Sequence, residues 1–300
     1  MGLFDNRVVI VTGAGRGIGR EHALRFAAEG AAVVVNDLGG THDGSGEDSS
    51  PARQVVDEII AADGRAVANG DSVGSWDGAQ SIVRTAIETF GDLHILVNNA
   101  GITRDRSIVN MTEQDFDAVV EVHLKGSFAL THWAAVHWRE ESKAGRQVAR
   151  SIVNTTSGSG LFGNAGQANY ASAKMGIAAL TIVSARELGR YGARVNAIAP
   201  AARTRMTLAT PGFEDVLKAP DDAAAFDRWH PANPTPMAMF LATEDCPFNG
   251  QVFETFGERV SLYAAWPVEK SAIAEHGWTV ADLVLATKDW PAGPPAMPAT

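Results

Sequence analysis

The segment 157–174, SGSGLFGNAGQANYASAK, contains a hydroxyl at Ser157, a phenol at Tyr170 and an amine at Lys174. Tyr170 and Lys174 are four residues apart, so on a helix both side chains leave the same face, one turn from each other. A nearby ammonium favours the phenolate, and we therefore expect Lys174 to lower the pKa of Tyr170 from its usual ~10 toward neutrality. A tyrosine adjusted in this way can exchange a proton with an alcohol near neutral pH.

Ser157 precedes Tyr170 by thirteen residues, so it must reach the phenol from another element, such as the end of a strand, where it can hold the reacting oxygen. The tyrosine and the lysine also have a plainer interpretation, because the same spacing occurs on ordinary amphipathic helices whose lysine is merely solvated. The elements that surround the segment decide between these two interpretations.

A glycine-rich turn follows the first predicted strand. Residues 7–11 form a β-branched run, and TGAGRGIG at 12–19 leads into an alanine-rich helical stretch at 20–29. Gly13, Gly17 and Gly19 allow a tight turn and let backbone N–H groups approach a pyrophosphate at the positive end of the helix. Strand, turn and helix in this order predict a dinucleotide site.

The next predicted strand, 31–36, is followed by Asp37, eighteen residues beyond Gly19. An acid at about this distance accepts hydrogen bonds from the adenosine ribose and repels a 2′-phosphate, which favours NAD. Arg16, inside the glycine turn, attracts that phosphate and so favours the opposite choice. We give priority to Asp37, because Arg16 is equally able to bind the pyrophosphate or a surface partner.

Strand and helix patterns alternate along the rest of the chain. Further strands are predicted near 66–69, 95–97, 151–155 and 194–198, with a final strand at 250–256, and helices at about 52–62, 75–90 and 235–243. This alternation predicts a single-domain α/β fold in which helices cover both faces of a doubly wound, Rossmann-type parallel sheet, as a three-layer sandwich.

Ligands of such sheets bind outside the carboxyl ends of the strands. Asp71 and Ser72 follow a predicted strand and are expected where the adenine lies. NNAG at 98–101 follows another and is expected beside the cofactor, with an ordinary asparagine-glycine turn as the alternative.

Three stretches are irregular. Residues 38–51, LGGTHDGSGEDSSP, are predicted to form an exposed, mobile loop, and the acids do not match the calcium-loop pattern, so no metal site is predicted. Residues 201–236 have the composition of a mobile lid over a substrate, with a passive surface excursion as the alternative. The main domain is therefore assigned to 1–257, and 258–300 to an extension that is partly helical and then disordered.

Two predicted helical segments are apolar on more than one face. One follows Tyr170 as MGIAALTIVSAREL, and the other lies at about 113–140. The apolar residues of the latter are Phe116, Val119, Val120, Val122, Leu124, Phe128, Leu130, Trp133, Val136 and Trp138. If one face packs on the sheet, the other is free for a symmetry mate, so we expect a homo-oligomer, a tetramer or a dimer.

The composition argues against several classes of protein. The formal charge of −10 opposes nonspecific binding to nucleic acid or to an anionic membrane. A single cysteine, Cys246, excludes an internal disulfide and suits a reducing compartment. Neither a signal-peptide pattern nor an apolar run of membrane-spanning length is found, and we expect a cytoplasmic protein that acts on a small molecule.

TGAGRGIG, NNAG, Ser157 and YASAK, in this order, resemble the short-chain dehydrogenase/reductase family from Arg7 to about Gly257. The resemblance implies that Ser157 orients the substrate oxygen, Tyr170 is the acid and base, and Lys174 binds ribose and lowers the phenol pKa. The residues that it implies for the cofactor are Gly13, Arg16, Gly17, Ile18, Gly19, Asp37, Leu38, Asp71, Ser72, Asn98, Ala100, Gly101, Tyr170, Lys174, Pro200 and Ala202.

His123, in VHLKGSF, stands where the family usually has an asparagine that acts largely through its backbone carbonyl. The histidine is either a further proton carrier or a buried structural residue. With VVVNDLGG, NNAGITRDRS and GNAGQANY, it gives a closer resemblance to (3R)-hydroxyacyl-CoA dehydrogenases of the multifunctional enzyme type 2 group.

These resemblances imply an NAD-dependent dehydrogenase that converts a 3-hydroxyacyl-CoA to the 3-oxoacyl-CoA in fatty-acid or sterol side-chain oxidation. Alternatives are a hydroxysteroid dehydrogenase, a 3-oxoacyl-carrier-protein reductase, which Asp37 disfavours, and a non-catalytic scaffold that senses NAD.

Overall fold

Eight strands form one sheet in the computed structural model, which describes residues 2–209, 215–222, 224–264, 268–274 and 277–291. The order across the sheet is β3-β2-β1-β4-β5-β6-β7-β8, parallel except for the antiparallel β7–β8 pair. The strands are β1 Val8–Thr12, β2 Ala32–Asn36, β3 Arg65–Asn69, β4 Ile95–Asn98, β5 Arg150–Thr155, β6 Ala193–Ala201, β7 Val252–Phe256 and β8 Arg259–Tyr263.

Helices lie on both faces of this sheet. Within the described residues they are α1 Gly17–Ala28, α2 Ser50–Ala61, α3 Trp76–Phe90, α4 Glu113–Val120, α5 Gly126–Lys143, α6 Gly158–Phe162, α7 Ala168–Leu188, α8 Arg205–Leu208, α9 Thr235–Ala242 and α10 Val280–Ala286. A π-helical turn, Glu121–Lys125, joins α4 to α5. No helix in the described part of the chain is long and apolar enough to cross a membrane.

The core consists of two apolar layers, because neighbouring residues of a strand point to opposite faces. Val9 and Val11 of β1 pack with α1, α2 and α9, whereas Val8 and Ile10 pack with α3 and α5. All five residues of β1 and of β2 are buried, as expected for parallel strands covered on both sides. The predicted doubly wound α/β fold is confirmed.

The strand order reverses beside β1, because β2 lies on one side of it and β4 on the other. The crevice at such a reversal is where ligands of open parallel sheets bind, at the carboxyl ends of the strands. The glycine turn after β1, the NNAG segment after β4 and the end of β6 all open into it.

The strand predicted at 250–256 is confirmed as β7, but it is not the last strand, because β8 pairs with it through a two-residue turn. The sheet therefore extends to Tyr263, past the domain boundary predicted at 257. Part of the extension is helical, as α10 shows. The disorder predicted for its end falls on 292–300, outside the described residues, as do 210–214 and 223 of the predicted lid.

A buried ion pair lies at the amino-terminal ends of the strands, opposite the crevice. Arg150, at the start of β5, is 1% exposed, and its Nη1 lies 3.0 Å from Oδ1 of Asp92, just before β4. His137 Nε2 lies 2.7 Å from the same oxygen. Burial raises the pKa of Asp92, but the hydrogen bonds with His137 and Arg150 outweigh it and hold the pKa below its ordinary value. The carboxylate therefore stabilises an otherwise uncompensated buried guanidinium.

We predict that Asp92→Asn lowers the free energy of unfolding by about 3–5 kcal/mol, because it leaves Arg150 buried without a counter-charge. The contribution of Asp92 is present above its unfolded pKa of ~3.9 and is lost as the pH falls below that value, so the variant should also lose less stability in acid. Urea unfolding measures both effects. Glu88→Gln, which breaks the exposed pair with Arg84, is the control and should cost under ~1 kcal/mol.

Candidate active site

A cavity of about 430 Å³ occupies the crevice at the carboxyl ends of the strands. Its walls come from the glycine turn, the ends of β2, β3, β4 and β6, the π-helical turn and α7. Sixteen of the predicted site residues line it: Gly13, Arg16, Gly17, Ile18, Gly19, Asp37, Leu38, Asp71, Ser72, Ala100, Gly101, His123, Tyr170, Lys174, Pro200 and Ala202. One enclosed space thus joins the expected nucleotide and catalytic groups.

The glycine turn packs too closely for side chains. A Cβ added to Gly19 would lie 2.2 Å from the carbonyl oxygen of Gly13, and Gly13 itself has a φ of +62°. The backbone of the turn is therefore exposed to the cavity at the start of α1, where N–H groups suit a phosphate. These features fit a pyrophosphate-bearing dinucleotide.

Asp37 holds this turn against the loop that follows β2. Its Oδ2 accepts a hydrogen bond from the Gly15 amide at 2.7 Å, and its Oδ1 accepts one from the Gly39 amide at 2.7 Å. A carboxylate can accept further hydrogen bonds, so ribose hydroxyls remain possible partners. These two hydrogen bonds therefore hold the Asp37 carboxylate in one orientation.

Asn98 and Ser157 do not line the cavity. Asn98 lies inside the sheet, where its Nδ2 donates to Oδ1 of Asn154 at 2.9 Å, so its side chain faces the neighbouring strand and not the cavity. The neighbouring Asn99 lines the cavity instead, and its Nδ2 donates to the carbonyl of Thr12 at 2.9 Å. Sequence reasoning named Asn98 and not Asn99, because the choice between them depends on where β4 ends.

Tyr170 and Lys174 lie in α7 and face the same cavity, as their spacing predicted. Lys174 is 3% exposed, its Nζ donates to the carbonyl of Thr155 at 2.7 Å, and it lies 5.5 Å from the centre of the phenol ring. Ser157 caps the start of α6 and hydrogen bonds with the phenol. The end of β5 therefore positions both Ser157 and the lysine.

The predicted direction of the Tyr170 pKa shift was wrong. Burial of the phenol raises its pKa to about 12, a hydrogen bond with Ser157 opposes the change, and the charge of Asp105 adds to it. Burial also lowers the pKa of Lys174 to about 7. Sequence spacing gives the distance to the cation but not the loss of solvent, and here the loss of solvent dominates.

His123 is buried in the π-helical turn, a feature often found at functional sites. Its ring meets that of Tyr170 edge to face, with centroids 5.1 Å apart, and Nε2 lies 2.8 Å from the carbonyl oxygen of Ile102. Burial and then the charge of Lys174 hold its pKa well below the usual value. A Cβ on Gly101 would lie 2.3 Å from the ring, so only glycine admits the histidine there.

The loop 38–49 covers part of the cavity and was not predicted to do so. Its Gly40, Thr41, His42 and Gly44 line the wall. The Thr103 amide donates to the carbonyl of His42 at 3.0 Å, and Nε of Arg104 donates to that of Asp43 at 2.8 Å. These bonds join two segments about sixty residues apart, which no local pattern reveals.

Comparisons with known proteins show the family to which this chain is similar. A family model described as short chain dehydrogenase matches residues 7–211. Over 298 residues the chain is 42% identical to the hydroxyacyl-CoA dehydrogenase ChsB1 of Mycobacterium tuberculosis, which covers 96% of this chain and 90% of that protein. A crystal structure of a short chain dehydrogenase from Mycobacterium avium is similar with a TM-score of 0.84 at 49% identity, over 96% of this chain and 95% of that one.

The chain is also 47% identical over 252 residues to peroxisomal multifunctional enzyme type 2 of Drosophila melanogaster. That match covers 84% of this chain but 39% of the fly enzyme, so the chain corresponds to a minor part of its length.

Because the pKa of Tyr170 is about 12, we predict that alcohol oxidation accelerates steadily with pH. The initial rate should rise by up to about tenfold per unit between pH ~6 and ~10, since more phenolate accepts the proton, whereas ketone reduction should vary little. Steady-state assays in both directions measure this. His123→Gln should keep the pH dependence, and a plateau of the wild-type oxidation rate near pH ~7 would contradict the raised pKa.

Proposed function

This chain belongs to the short-chain dehydrogenase family and is an oxidoreductase that uses a nicotinamide cofactor; on this premise we propose that it oxidises 3-hydroxyacyl-CoA thioesters with NAD. The observation that carries the proposal is the single cavity shared by Tyr170, Lys174, the glycine turn and Asp37. A bound nicotinamide dinucleotide supplies the hydride acceptor.

Tyr170 accepts the proton of the substrate hydroxyl in oxidation and returns it in reduction. Ser157, which hydrogen bonds with the phenol, holds the reacting oxygen beside it. Lys174 is buried next to the ring with Nζ fixed by Thr155, so in its protonated form its charge would act on the phenolate through a poorly solvated space. The contribution of these residues is positioning and electrostatics.

His123 positions other groups rather than carrying the proton. Nε2 is engaged with the Ile102 backbone, and Nδ1 is buried without a partner in the described part of the chain. A neutral ring wedged between Gly101 and Tyr170 fixes the distance between the NNAG segment and the phenol. Retention of pH-dependent turnover in His123→Gln is the result expected from this role.

The thioester is favoured among the alternative substrates by the relatives. The match with the hydroxyacyl-CoA dehydrogenase ChsB1 covers 96% of this chain and 90% of that protein. It therefore includes the predicted lid at 201–236. We also propose that this stretch acts as a lid. The proposal includes the boundary between the main domain and its extension, and a role of the enzyme in β-oxidation.

A homo-oligomer is proposed as well. Phe128 on α5 is 48% exposed and Val183 on α7 is 50% exposed, and both are large apolar side chains that a second subunit would cover. Light scattering of the purified protein distinguishes a monomer from a dimer or tetramer. A cytoplasmic location is proposed because Cys246 is a buried thiol without a disulfide.

We predict that a 3-hydroxyacyl-CoA gives a kcat/KM at least about tenfold above a free hydroxysteroid or a carrier-protein thioester, because a matched site adds ~1.4 kcal/mol or more of transition-state binding. NADH formation at 340 nm measures turnover across the panel. Tyr170→Phe is the control and should bind NADH but lose kcat by about 10²-fold or more. Equal rates in Tyr170→Phe would refute the assignment, and no turnover of any alcohol would favour a non-catalytic scaffold.

We predict that Asp37→Ser lowers the preference for NAD over NADP by about 100-fold, since it removes a charge that repels the 2′-phosphate near Arg16 and Arg205. The ratio of the dissociation constants of NADH and NADPH, from fluorescence titration, is the readout. Asp71→Ser is the matched control, because Asp71 also lines the cavity and should affect both cofactors alike. An unchanged ratio in Asp37→Ser argues against Asp37 as the selecting group.

A further inference from the structure

The helix that carries Tyr170 and Lys174 begins without a capping side chain. Gln167 stands at the N-cap of α7 but makes no side-chain bond to the first turn. Tyr170 is the third residue of the helix, and backbone N–H groups this close to a helix start have no partner within the helix. A buried N–H without a partner destabilises the fold, so the group must be satisfied from elsewhere.

Asn169 satisfies it from inside the helix. Its side-chain Oδ1 accepts a hydrogen bond from the Tyr170 amide at 2.7 Å, and the residue is 0% exposed. Its Nδ2 donates to the carbonyl of Arg104 at 2.9 Å and to that of Asp115 at 3.0 Å. One amide side chain therefore joins the backbone of the catalytic tyrosine to the segment after β4 and to the first turn of α4.

Two further contacts connect the same segments. The Arg106 amide donates to the carbonyl of Gly166 at 2.8 Å, and Nε2 of Gln167 donates to Oδ2 of Asp105 at 2.8 Å. These two contacts lie nearer the protein surface, whereas the Asn169 side chain, which joins the same segments, is buried. The segment after β4 thus approaches the start of α7 along several residues.

We propose that Asn169 is a positioning residue that sets the location of Tyr170 relative to Ser157 and to the NNAG segment. The proposal rests on the proposed function, in which Tyr170 exchanges the proton. Asn169 itself does not line the cavity, so its effect passes through the backbone of Tyr170. Loss of its two donated bonds removes the buried part of the connection between α7 and the 101–106 segment and lets the phenol move away from its Ser157 partner.

The test is Asn169→Asp, which keeps an oxygen for the Tyr170 amide but cannot donate to the two carbonyls. We expect kcat for oxidation to fall by about 10–100-fold, as for a displacement of the order of 1 Å, with the NADH dissociation constant within about twofold of wild type.

The matched control is Asn196→Asp. Asn196 is also 0% exposed, donates to the carbonyl of Phe248 at 2.8 Å and accepts from the Gln251 amide at 3.0 Å, away from the cavity. It should lower the melting temperature and leave kcat near the wild-type value. If Asn169→Asp does not fold, Asn169→Ser replaces it, since serine keeps an acceptor for the Tyr170 amide and shortens the reach to both carbonyls.

Hydrogen–deuterium exchange gives a readout that does not depend on turnover. In the Asn169 variant, exchange should accelerate together in 101–106 and 166–171, and in the Asn196 variant it should not. Activity that follows only the melting temperature, with no paired acceleration of exchange, would overturn the proposal. An inactive wild type would instead refute the proposed function, while the exchange result would still decide whether Asn169 joins the two segments.

Discussion

The site depends on burying an amine beside a phenol at one end of a parallel sheet. Lys174 is almost fully removed from solvent and is compensated by one carbonyl, that of Thr155 at the end of β5. A buried amine needs such a partner, because removing a charge from water costs several kcal/mol. The position of β5 relative to α7 is therefore not free to vary, and the neighbouring elements serve to hold it.

Each neighbouring element contributes one constraint to that arrangement. The π-helical turn between α4 and α5 inserts His123 between the NNAG segment and the phenol ring. The glycine turn after β1 packs against Asn99, which also belongs to the NNAG segment. The catalytic groups are thus located by contacts among the three loops that follow β1, β4 and β5, on a rigid sheet.

The sequence was sufficient for the features that have a local pattern. Alternating apolar runs gave the order of strands and helices, and the four-residue spacing placed Tyr170 and Lys174 on one face. The β8 strand was missed although Gly257, at φ +54°, marks the short turn before it. That signal is local, so closer attention to glycine between two apolar runs would have found the strand.

The features that sequence reasoning could not supply all depend on distant segments. The raised pKa of Tyr170 reflects how completely the fold excludes water, and the covering position of the 38–49 loop reflects bonds to Thr103 and Arg104. The choice between Asn98 and Asn99 depends on the residue at which β4 leaves the sheet. Such properties belong to the assembled molecule, not to any stretch of it.

The buried Asp92–Arg150 pair lies at the amino-terminal ends of β4 and β5, whereas the cavity lies at the carboxyl ends of the strands. This separation has a practical consequence. Asp92 and Arg150 do not line the cavity, so this stabilising pair is separate from the residues that would meet a ligand. Directed evolution toward new substrates can therefore randomise the loops at the carboxyl ends of the strands. The Asp92–Arg150 pair at the amino-terminal ends is kept and continues to stabilise the fold.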